Sequence, residues 1–384
     1  MGKEVILIEK IGLDRMVIAG FRVIRVDFKK LRQKENVTLD EYGKATYTLE
    51  GGKSFRFLRI VDNVQFRTLV VGTKDLKYAK QDYSRMDITI GNRETGNLQN
   101  FTVKKYQERV KDIFLYVYEE YGILIDDKNT KITYLELNCT FPIEYEFYKY
   151  HRVLRLMMYN LPNNYRKITE VSKKNVPNIR LESETFYRGN SMMEIKVYDK
   201  KRQLKETVGF CNDDNLMRIE MVMKTAQKIK EAFGSNKLSD LTDSSINKYY
   251  YDQFQKQFEQ RYYKWRKKNL KYLDNRIRHH KNWSVRCWHR NLLNEFRNDE
   301  QKNRVPILLD MNDLLERVRI LEKNGHFSRV AKCILEKCEK NDVYLQGDSK
   351  KAEEIIDKVN NAYQMFSNHD MAEPPQATIY GDMV

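Results

Sequence analysis

The chain has 384 residues, which is enough for one large domain and a smaller one with a buried core. Its 70 Lys and Arg residues outnumber its 54 Asp and Glu residues, and the formal net charge of +16 favours a polyanionic partner such as nucleic acid. Because it lacks both a long uncharged apolar run and the apolar core of a signal peptide, we expect a soluble, cytoplasmic protein without a membrane partner.

The first part of the chain alternates β-rich and helix-forming segments. Apolar spacing predicts helices from Thr102 to Tyr121 and from Glu144 to Asn160. The β-rich segments are VILIEKI, MVIAGFRVIRVDF, FRTLVVG, MDITIG, KITYLELNCTF, MMEIKVY and LMRIEMVM. We therefore predict an α+β domain over residues 1–238, with a mixed sheet that has one helix-covered face and one open, catalytic face.

The second part of the chain lacks strand signals after about Leu241 and becomes helix-forming, polar and basic. We predict an all-α, basic DNA-binding domain over residues 239–384. Within it, Pro306 to Lys340 reads as two helices separated by Gly325, either a helical hairpin or a helix-turn-helix. The tail, about residues 367–384, is predicted to be disordered.

A basic, aromatic-rich stretch extends from Arg261 to Arg290. It contains eleven Lys or Arg residues and one acid, Asp274, interleaved with Tyr and Trp. One interpretation is a solvated helix whose aromatic side chains pack inward; the charge excess favours contact with phosphates instead. The predicted DNA contacts are Arg261, Lys264, Arg266, Lys267, Lys268, Lys271, Arg276 and Arg278.

Several predicted strands carry polar residues at alternate positions, which places those residues on one face of the sheet. The polar positions are Asp87 and Thr89; Tyr134, Glu136 and Asn138; Glu194, Lys196 and Tyr198; and Arg218, Glu220 and Lys224. Three of these carboxylates, Asp87, Glu136 and Glu220, and one tyrosine, Tyr198, are thus expected to line one concave face. Any sheet with a solvated face shows this alternation, so the pattern alone does not distinguish a catalytic face from a solvated one.

The chemistry of these residues suits phosphodiester cleavage. Carboxylates bind Mg²⁺ or Mn²⁺, and such an ion polarises a phosphodiester while a tyrosine hydroxyl attacks it. A phenol needs a base, metal or cation to become a nucleophile near neutral pH, and Lys196 or Lys200 could supply the cation. The sequence has no P-loop, dinucleotide-binding glycine motif or H-E-x-x-H motif. Its histidines form no His-hydrophobic-His pair, so carboxylates are the expected metal ligands.

Three segments carry a family resemblance: IKVYDKKRQL (Ile195 to Leu204), YLELNCTF (Tyr134 to Phe141) and LMRIEMVMK. With them the chain resembles, over roughly residues 80–235, the phage and plasmid replication proteins of the gene II/X type, which are related to rolling-circle plasmid initiators. The first segment is similar to the family strand that carries a tyrosine and, two residues later, a lysine. Gln203 stands where the family commonly has an acid.

The resemblance implies a role for each matched residue. Tyr198 takes the position of the nucleophile, and Lys200 lies beside the scissile phosphate. Tyr187, in TFYRGNS, is the alternative nucleophile because it lies on a neighbouring β segment. The implied ligands of Mg²⁺ or Mn²⁺ are Asp87, Glu136 and Glu220.

The implied activity is that of a rolling-circle replication initiator in a bacterial host cell. Tyrosine attack at an origin gives a 5′-phosphotyrosine link and a free 3′-hydroxyl, which a host polymerase extends before a second transfer closes the displaced strand. The implied partners are origin DNA, as duplex or hairpin and as a single strand, with a host helicase and polymerase; a homodimer is left open. The alternatives are a mobilisation relaxase, a non-enzymatic DNA-binding protein and, ranked last, an RNA-binding or structural protein.

Overall fold

The computed structural model of the protein describes most of the predicted sheet and the helices around it. The described ranges are residues 10–31, 33–35, 37–38, 45–48, 54–62, 65–72, 84–89, 102–159, 161, 169–171, 185–209, 214–279 and 348–370, with a few isolated positions between 315 and 336. The predicted helix pair between Pro306 and Lys340 lies outside these ranges apart from those isolated positions. The predicted disordered tail lies outside them beyond residue 370, and its first residues belong to a helix.

The strands form one large sheet and a separate two-stranded ribbon. Their bounds are β1 Lys10–Ala19, β2 Arg22–Val26, β3 Val37–Thr38, β4 Ala45–Thr48, β5 Ser54–Val61, β6 Thr68–Gly72, β7 Ser84–Thr89, β8 Ile123–Asp126, β9 Lys131–Ile143, β10 Thr169–Val171, β11 Thr185–Gly189, β12 Met193–Asp199 and β13 Asn215–Met223. The large sheet has the order β10-β11-β12-β13-β9-β1-β7-β6-β5-β3, with β4 paired to β5, and β2 pairs with β8.

Every ladder in the described residues is antiparallel, whereas the sequence predicted a mixed sheet. The connection between β11 and β12 shows the physical reason. Three residues join these strands, and a connection that short can reverse the chain but cannot make the crossover that parallel strands need. At its edge, a Cβ on Gly189 would lie 2.5 Å from the Met193 carbonyl oxygen, so only glycine fits this turn.

The helices confirm the predicted α+β class and the helical C-terminal region. Their bounds are α1 Phe28–Leu31, α2 Val103–Tyr121, α3 His151–Tyr159, α4 Lys200–Val208, α5 Ala226–Phe233, α6 Asp243–Phe254, α7 Gln260–His279 and α8 Asp348–Asp370, with 3₁₀ turns at Phe147–Tyr150 and Leu238–Asp240 and a π-helical turn at Gln255–Glu259. Among the described helices, none has both the length and the apolar character required to cross a bilayer.

Helix α2 illustrates how local sequence sets the element boundaries. The Thr102 side chain accepts a hydrogen bond from the Lys105 amide and so caps the first turn. Gly122 adopts a left-handed conformation with φ of 68° and ends the helix. The buried residues are the predicted apolar set, namely Val103, Tyr106, Val110, Ile113, Phe114, Val117 and Tyr121.

One hydrophobic core joins the sheet to helices from the C-terminal part of the chain. Helices α6 and α8 both contact strand β1, and α8 also contacts β9. Ile246 and Phe254 of α6 and Ile355 of α8 are buried in the same core as Ile219 of β13. The division at residues 238 and 239 stays a prediction, and the helix that follows it packs directly on the sheet.

The Tyr250 hydroxyl fixes α6 to the central sheet, and its removal should destabilise the fold. It is buried and donates a hydrogen bond of 3.0 Å to the Ile219 carbonyl oxygen. Tyr250→Phe is expected to lower the free energy of unfolding by about 1 kcal/mol, the usual contribution of one buried hydrogen bond. The control is Tyr251→Phe, since the Tyr251 hydroxyl accepts a hydrogen bond from Gln255 of the same helical segment and is partly exposed. Equal effects in urea unfolding would contradict this assignment.

Candidate functional site

The alternating polar residues of the central strands do share one face of the sheet. Strand register places Lys196 of β12 between Tyr187 of β11 and Glu220 of β13, and Asn138 of β9 lies opposite Glu220 on its other side. The residues between them along each strand, such as Ile195 and Ile219, are buried in the core. Tyr187, Lys196, Glu220 and Asn138 therefore form a polar row across four adjacent strands.

Two of the predicted metal ligands meet at one ammonium group. The Lys196 Nζ lies 3.2 Å from Glu136 Oε1 and 3.3 Å from Glu220 Oε2. Burial of the Lys196 side chain opposes its charge, but the two carboxylates outweigh that effect and raise its pKa. Burial, reinforced by the negative charge of Glu220, raises the pKa of Glu136.

The centre of this face is sunken, whereas the sequence predicted an open surface. Glu136 and Glu220 are only 6% and 4% exposed, while Lys196 keeps 20% of its side-chain surface accessible. Polar alternation predicts which residues share a face of the sheet, but it does not predict how deeply other elements bury that face. In this structure, helix α4 lies against β13, the strand that carries Glu220. Glu136, Lys196 and Glu220, with Tyr134 and Tyr198 hydrogen-bonded to the carboxylates, are called here the charged cluster. Solvent or a ligand therefore contacts the cluster through its partly exposed members, which include Lys196, Tyr198 and Tyr134.

The predicted nucleophile, Tyr198, lies inside the charged cluster. Its hydroxyl donates a hydrogen bond of 2.6 Å to Glu220 Oε1, and strand register places Arg218 opposite it. Burial and the charge of Glu220 raise the pKa of Tyr198 well above its ordinary value, although Arg218 acts in the opposite direction. The phenol is therefore protonated near neutral pH, and its proton points at a carboxylate.

A buried arginine supports this tyrosine. The Arg218 Nε donates to Thr140 Oγ1 at 2.6 Å, and its Nη1 lies 3.1 Å from Asp14 Oδ2. Asp14 was not identified from the sequence, because strict alternation would place Asp14 and Arg15 on opposite faces. The register between β1 and β9 shifts between Leu13 and Met16, which marks a β-bulge. The sequence signal for this bulge was the pair of adjacent polar residues, Asp14 and Arg15, within an otherwise apolar strand.

Asp87, the third predicted metal ligand, lies apart from the other two carboxylates. Strands β9 and β7 are separated by β1, and both oxygens of Asp87 are engaged by Arg15, with Nε to Oδ1 at 3.0 Å. The Arg15 guanidinium also lies 5.0 Å from the centre of the Tyr134 ring. Within the described residues, no group of three or more His, Cys, Asp or Glu side chains is placed to hold a metal ion. The structure thus brings together Glu136 and Glu220 but not Asp87.

Lys200 begins helix α4 directly after the strand that carries Tyr198. The Asp199 side chain accepts a hydrogen bond from the Arg202 amide and caps this helix. Lys200 is buried, and its Nζ donates to Gln203 Oε1 at 2.7 Å. Burial, together with the positive charge of Arg218, lowers the pKa of Lys200 to about 7.

The alternative nucleophile, Tyr187, lies on the adjacent strand of the same face. It is opposite Lys196 in the register between β11 and β12 and is partly exposed. The tight turn at Gly189 fixes this register. The structure therefore keeps both tyrosines on the face that carries the carboxylates.

The predicted DNA-binding residues lie on helix α7. Lys264, Lys267, Lys268 and Lys271 are exposed and recur at helical spacing, so they form one stripe, called here the lysine stripe. Arg261 and Arg266 are half-buried, and Arg266 pairs with Glu353 of α8 at 2.6 Å. Tyr262 packs into the core while Tyr263 remains 44% exposed. Arg276 and Arg278 belong to the helix, but their side chains lie outside the described residues.

Comparisons with known proteins include a distant structural similarity. No protein-family model and no curated protein matches the chain. Among solved structures, the chain is similar to one described as "Structure of Rolling Circle Replication Initiator Protein from Geobacillus stearothermophilus". The sequence identity is 15% and the TM-score is 0.30, over 58% of this chain and 79% of that chain.

The depressed pKa of Lys200 predicts a characteristic pH dependence of stability. An unfolded lysine binds its proton up to about pH 10.4, whereas the folded one releases it near 7, so the unfolded state holds more protons between these values. The destabilisation from Lys200 is therefore complete below about pH 7 and is relieved as the pH rises toward 10. Lys200→Met should stabilise the protein most at low pH, and this advantage should shrink through that window in urea unfolding. If the difference in the free energy of unfolding between variant and wild type does not change with pH, the depressed pKa of Lys200 is rejected. The control is Lys205→Met, at an exposed position of the same helix.

Proposed function

We propose that the protein is a DNA nicking and strand-transfer enzyme that initiates rolling-circle replication, with Tyr198 as its nucleophile. The observation that carries this proposal is the 2.6 Å hydrogen bond from the Tyr198 hydroxyl to Glu220 within a cluster of buried charges. A hydroxyl that donates to a fixed carboxylate has the arrangement of a nucleophile and its base. The cluster and the lysine stripe supply, respectively, groups for phosphodiester chemistry and groups for phosphate binding.

The proposed step transfers one strand from the DNA to the protein. The Tyr198 oxygen forms a bond to the scissile phosphorus as the bond from phosphorus to the 3′ oxygen breaks. The phenolic proton passes to Glu220, which then returns it to solvent, and the departing 3′ oxygen takes one proton from water to become a free hydroxyl. Because burial keeps Tyr198 protonated, attack has to coincide with this proton transfer. Lys196, which remains partly exposed, is the cation available to a phosphate, and a contact from Lys200 stays a prediction.

The residues present fit a Mg²⁺ or Mn²⁺ ion held by two carboxylates. Glu136 and Glu220 are hard oxygen donors that already converge on one positive charge, the Lys196 ammonium. Mg²⁺ is commonly bound through one or two carboxylates while it keeps several waters. When bound, such an ion would stabilise the negative charge that develops on the phosphate. Asp87 is committed to Arg15 and is left out of this proposed set.

Tyrosine substitutions test the proposed nucleophile. The protein is incubated with an end-labelled, single-stranded origin oligonucleotide and Mn²⁺, and a protein–DNA adduct that survives denaturation is measured. We expect the adduct with the wild type and with Tyr187→Phe, and its loss with Tyr198→Phe. Phenylalanine keeps the ring at the strand position and removes only the attacking oxygen.

Each other result has a distinct meaning. Loss only with Tyr187→Phe would retain the enzyme and move the nucleophile to the neighbouring strand. Absence of any adduct from folded wild type with a verified origin would reject the nicking function and favour a DNA-binding protein without catalysis. Cleavage confined to a transfer origin would identify a mobilisation relaxase instead.

The lysine stripe should supply part of the affinity for DNA. Replacement of Lys264, Lys267 and Lys268 by Gln is expected to weaken duplex binding and to reduce the slope of log K against log salt by about 0.9 for each phosphate that the variant no longer neutralises. The measurement is a salt titration of binding by fluorescence anisotropy. The control replaces three exposed lysines of α2 by Gln, namely Lys104, Lys105 and Lys111, which removes the same charge from another helix. Equal slopes for the two variants would show that the attraction comes from overall charge alone.

A further inference from the structure

Asn138 is a fully buried polar side chain whose hydrogen-bonding groups are unused. It is 0% exposed, and neither its Nδ2 nor its Oδ1 has a hydrogen-bond partner among the described residues. The great majority of buried polar groups in folded proteins are hydrogen-bonded, because a buried group without a partner loses its interaction with water. An orphaned carboxamide at this position therefore points to a partner other than the described side chains.

The surroundings of Asn138 define the kind of partner. It lies two residues after Glu136 on the same face of β9, directly opposite Glu220 on β13. Its neighbour on the other side is Gly12 of β1, which has no side chain to offer. A carboxamide oxygen beside two carboxylates gives three hard oxygen donors on adjacent strands, which is the donor chemistry that Mg²⁺ and Mn²⁺ prefer.

Lys196 gives the second indication of a cation position. Its ammonium lies at ion-pair distance from one oxygen of each carboxylate, so a positive charge already occupies the point on which they converge. The lysine reaches this point from β12 on a flexible chain that keeps 20% of its side-chain surface accessible. It can withdraw toward solvent without any movement of the sheet.

We propose that the Asn138 carboxamide oxygen is a third protein ligand of a divalent cation held by Glu136 and Glu220, and that the Lys196 ammonium holds this position until the cation binds. The inference rests on the proposed function for the role of the cation, but the binding site itself does not require that function. On this arrangement, cation binding releases Lys196 on the same face as Tyr198. The released ammonium is then available to the phosphate that Tyr198 attacks.

Binding of Mn²⁺ alone, measured by electron paramagnetic resonance of the free ion, tests the site without DNA. Asn138→Leu keeps the side-chain size and removes the donor, and it should weaken Mn²⁺ binding roughly tenfold or more. Asn138→Asp adds a charged oxygen and should retain or strengthen binding. Thr133→Val is the matched control, since Thr133 lies on the same strand but its hydroxyl donates to the Val17 carbonyl oxygen, and it should leave Mn²⁺ affinity unchanged. Unchanged affinity in Asn138→Leu would overturn the assignment.

A stability measurement separates a ligand from a structural role. If Asn138 merely bonds a structural water, Asn138→Leu should change the melting temperature equally with and without Mn²⁺, and that result would overturn the proposal. If it is a ligand, the variant should melt no lower than the wild type without the ion and should lose the rise that Mn²⁺ produces in the wild type. Should Asn138→Leu fail to fold, Asn138→Ser, which shortens the donor, is measured in the same way.

The role of Lys196 predicts an effect of opposite sign. Lys196→Gln removes the competing charge, so Mn²⁺ should bind several-fold more tightly than to the wild type; equal or weaker binding would overturn the exchange. Failure of the proposed function is distinguishable, because it would appear as intact Mn²⁺ binding without a DNA adduct. If instead the proposed cation site is wrong, the DNA adduct still forms, and Asn138→Leu does not change its dependence on Mn²⁺.

Discussion

The polar side of the sheet depends on the buried ion pair between Arg218 and Asp14. A guanidinium remains charged at any ordinary pH, so its complete burial requires partners that are fixed in place. Asp14 and Thr140 supply them from β1 and β9, and the arginine itself lies on β13. Loss of one partner of such a pair typically costs about 3–5 kcal/mol because an uncompensated charge stays buried. The register of the three central strands and the geometry of the cluster are thereby fixed together.

The charges that order this cluster also set the protonation states within it. Arg218 opposes a second positive charge nearby and so helps to keep Lys200 near neutrality at physiological pH. Burial and the negative charge of Glu220 likewise keep Tyr198 neutral, because they raise the pKa of the phenol, and Glu220 accepts its proton in a short hydrogen bond. A phenol held in this way stays protonated near neutral pH. In the proposed reaction, attack by Tyr198 requires that its proton pass to Glu220, and the fold holds this acceptor 2.6 Å from the phenolic oxygen.

The sequence predicted the α+β class, helix α2 and the polar face correctly, because each follows from a local period. Alternation along β12 and β13 placed Lys196, Tyr198 and Glu220 together, and the register confirms it. Depth and pairing are not local properties. The burial of Glu136 depends on which elements cover the sheet. The pairing of Asp87 with Arg15 depends on which strand lies beside β7. Asp14 reaches Arg218 only because β1 contains a bulge. Helix α8 packs on β1 although the two are distant in sequence, so no local pattern could predict this contact either.

The charged cluster on the sheet and the lysine stripe of α7 differ in how their charges are paired. In and around the cluster, Arg15, Lys196 and Arg218 are each paired with a carboxylate, so these cations contribute little uncompensated positive charge. A near-neutral, sunken site attracts a polyanion weakly, whereas the lysine stripe of α7 is exposed and its lysines have no such partners among the described residues. The excess positive charge of the stripe is therefore available to a polyanion without perturbing the buried pairs. Because α6 leads through the π-helical turn into α7 and itself packs on the sheet, the two regions are held by one continuous core.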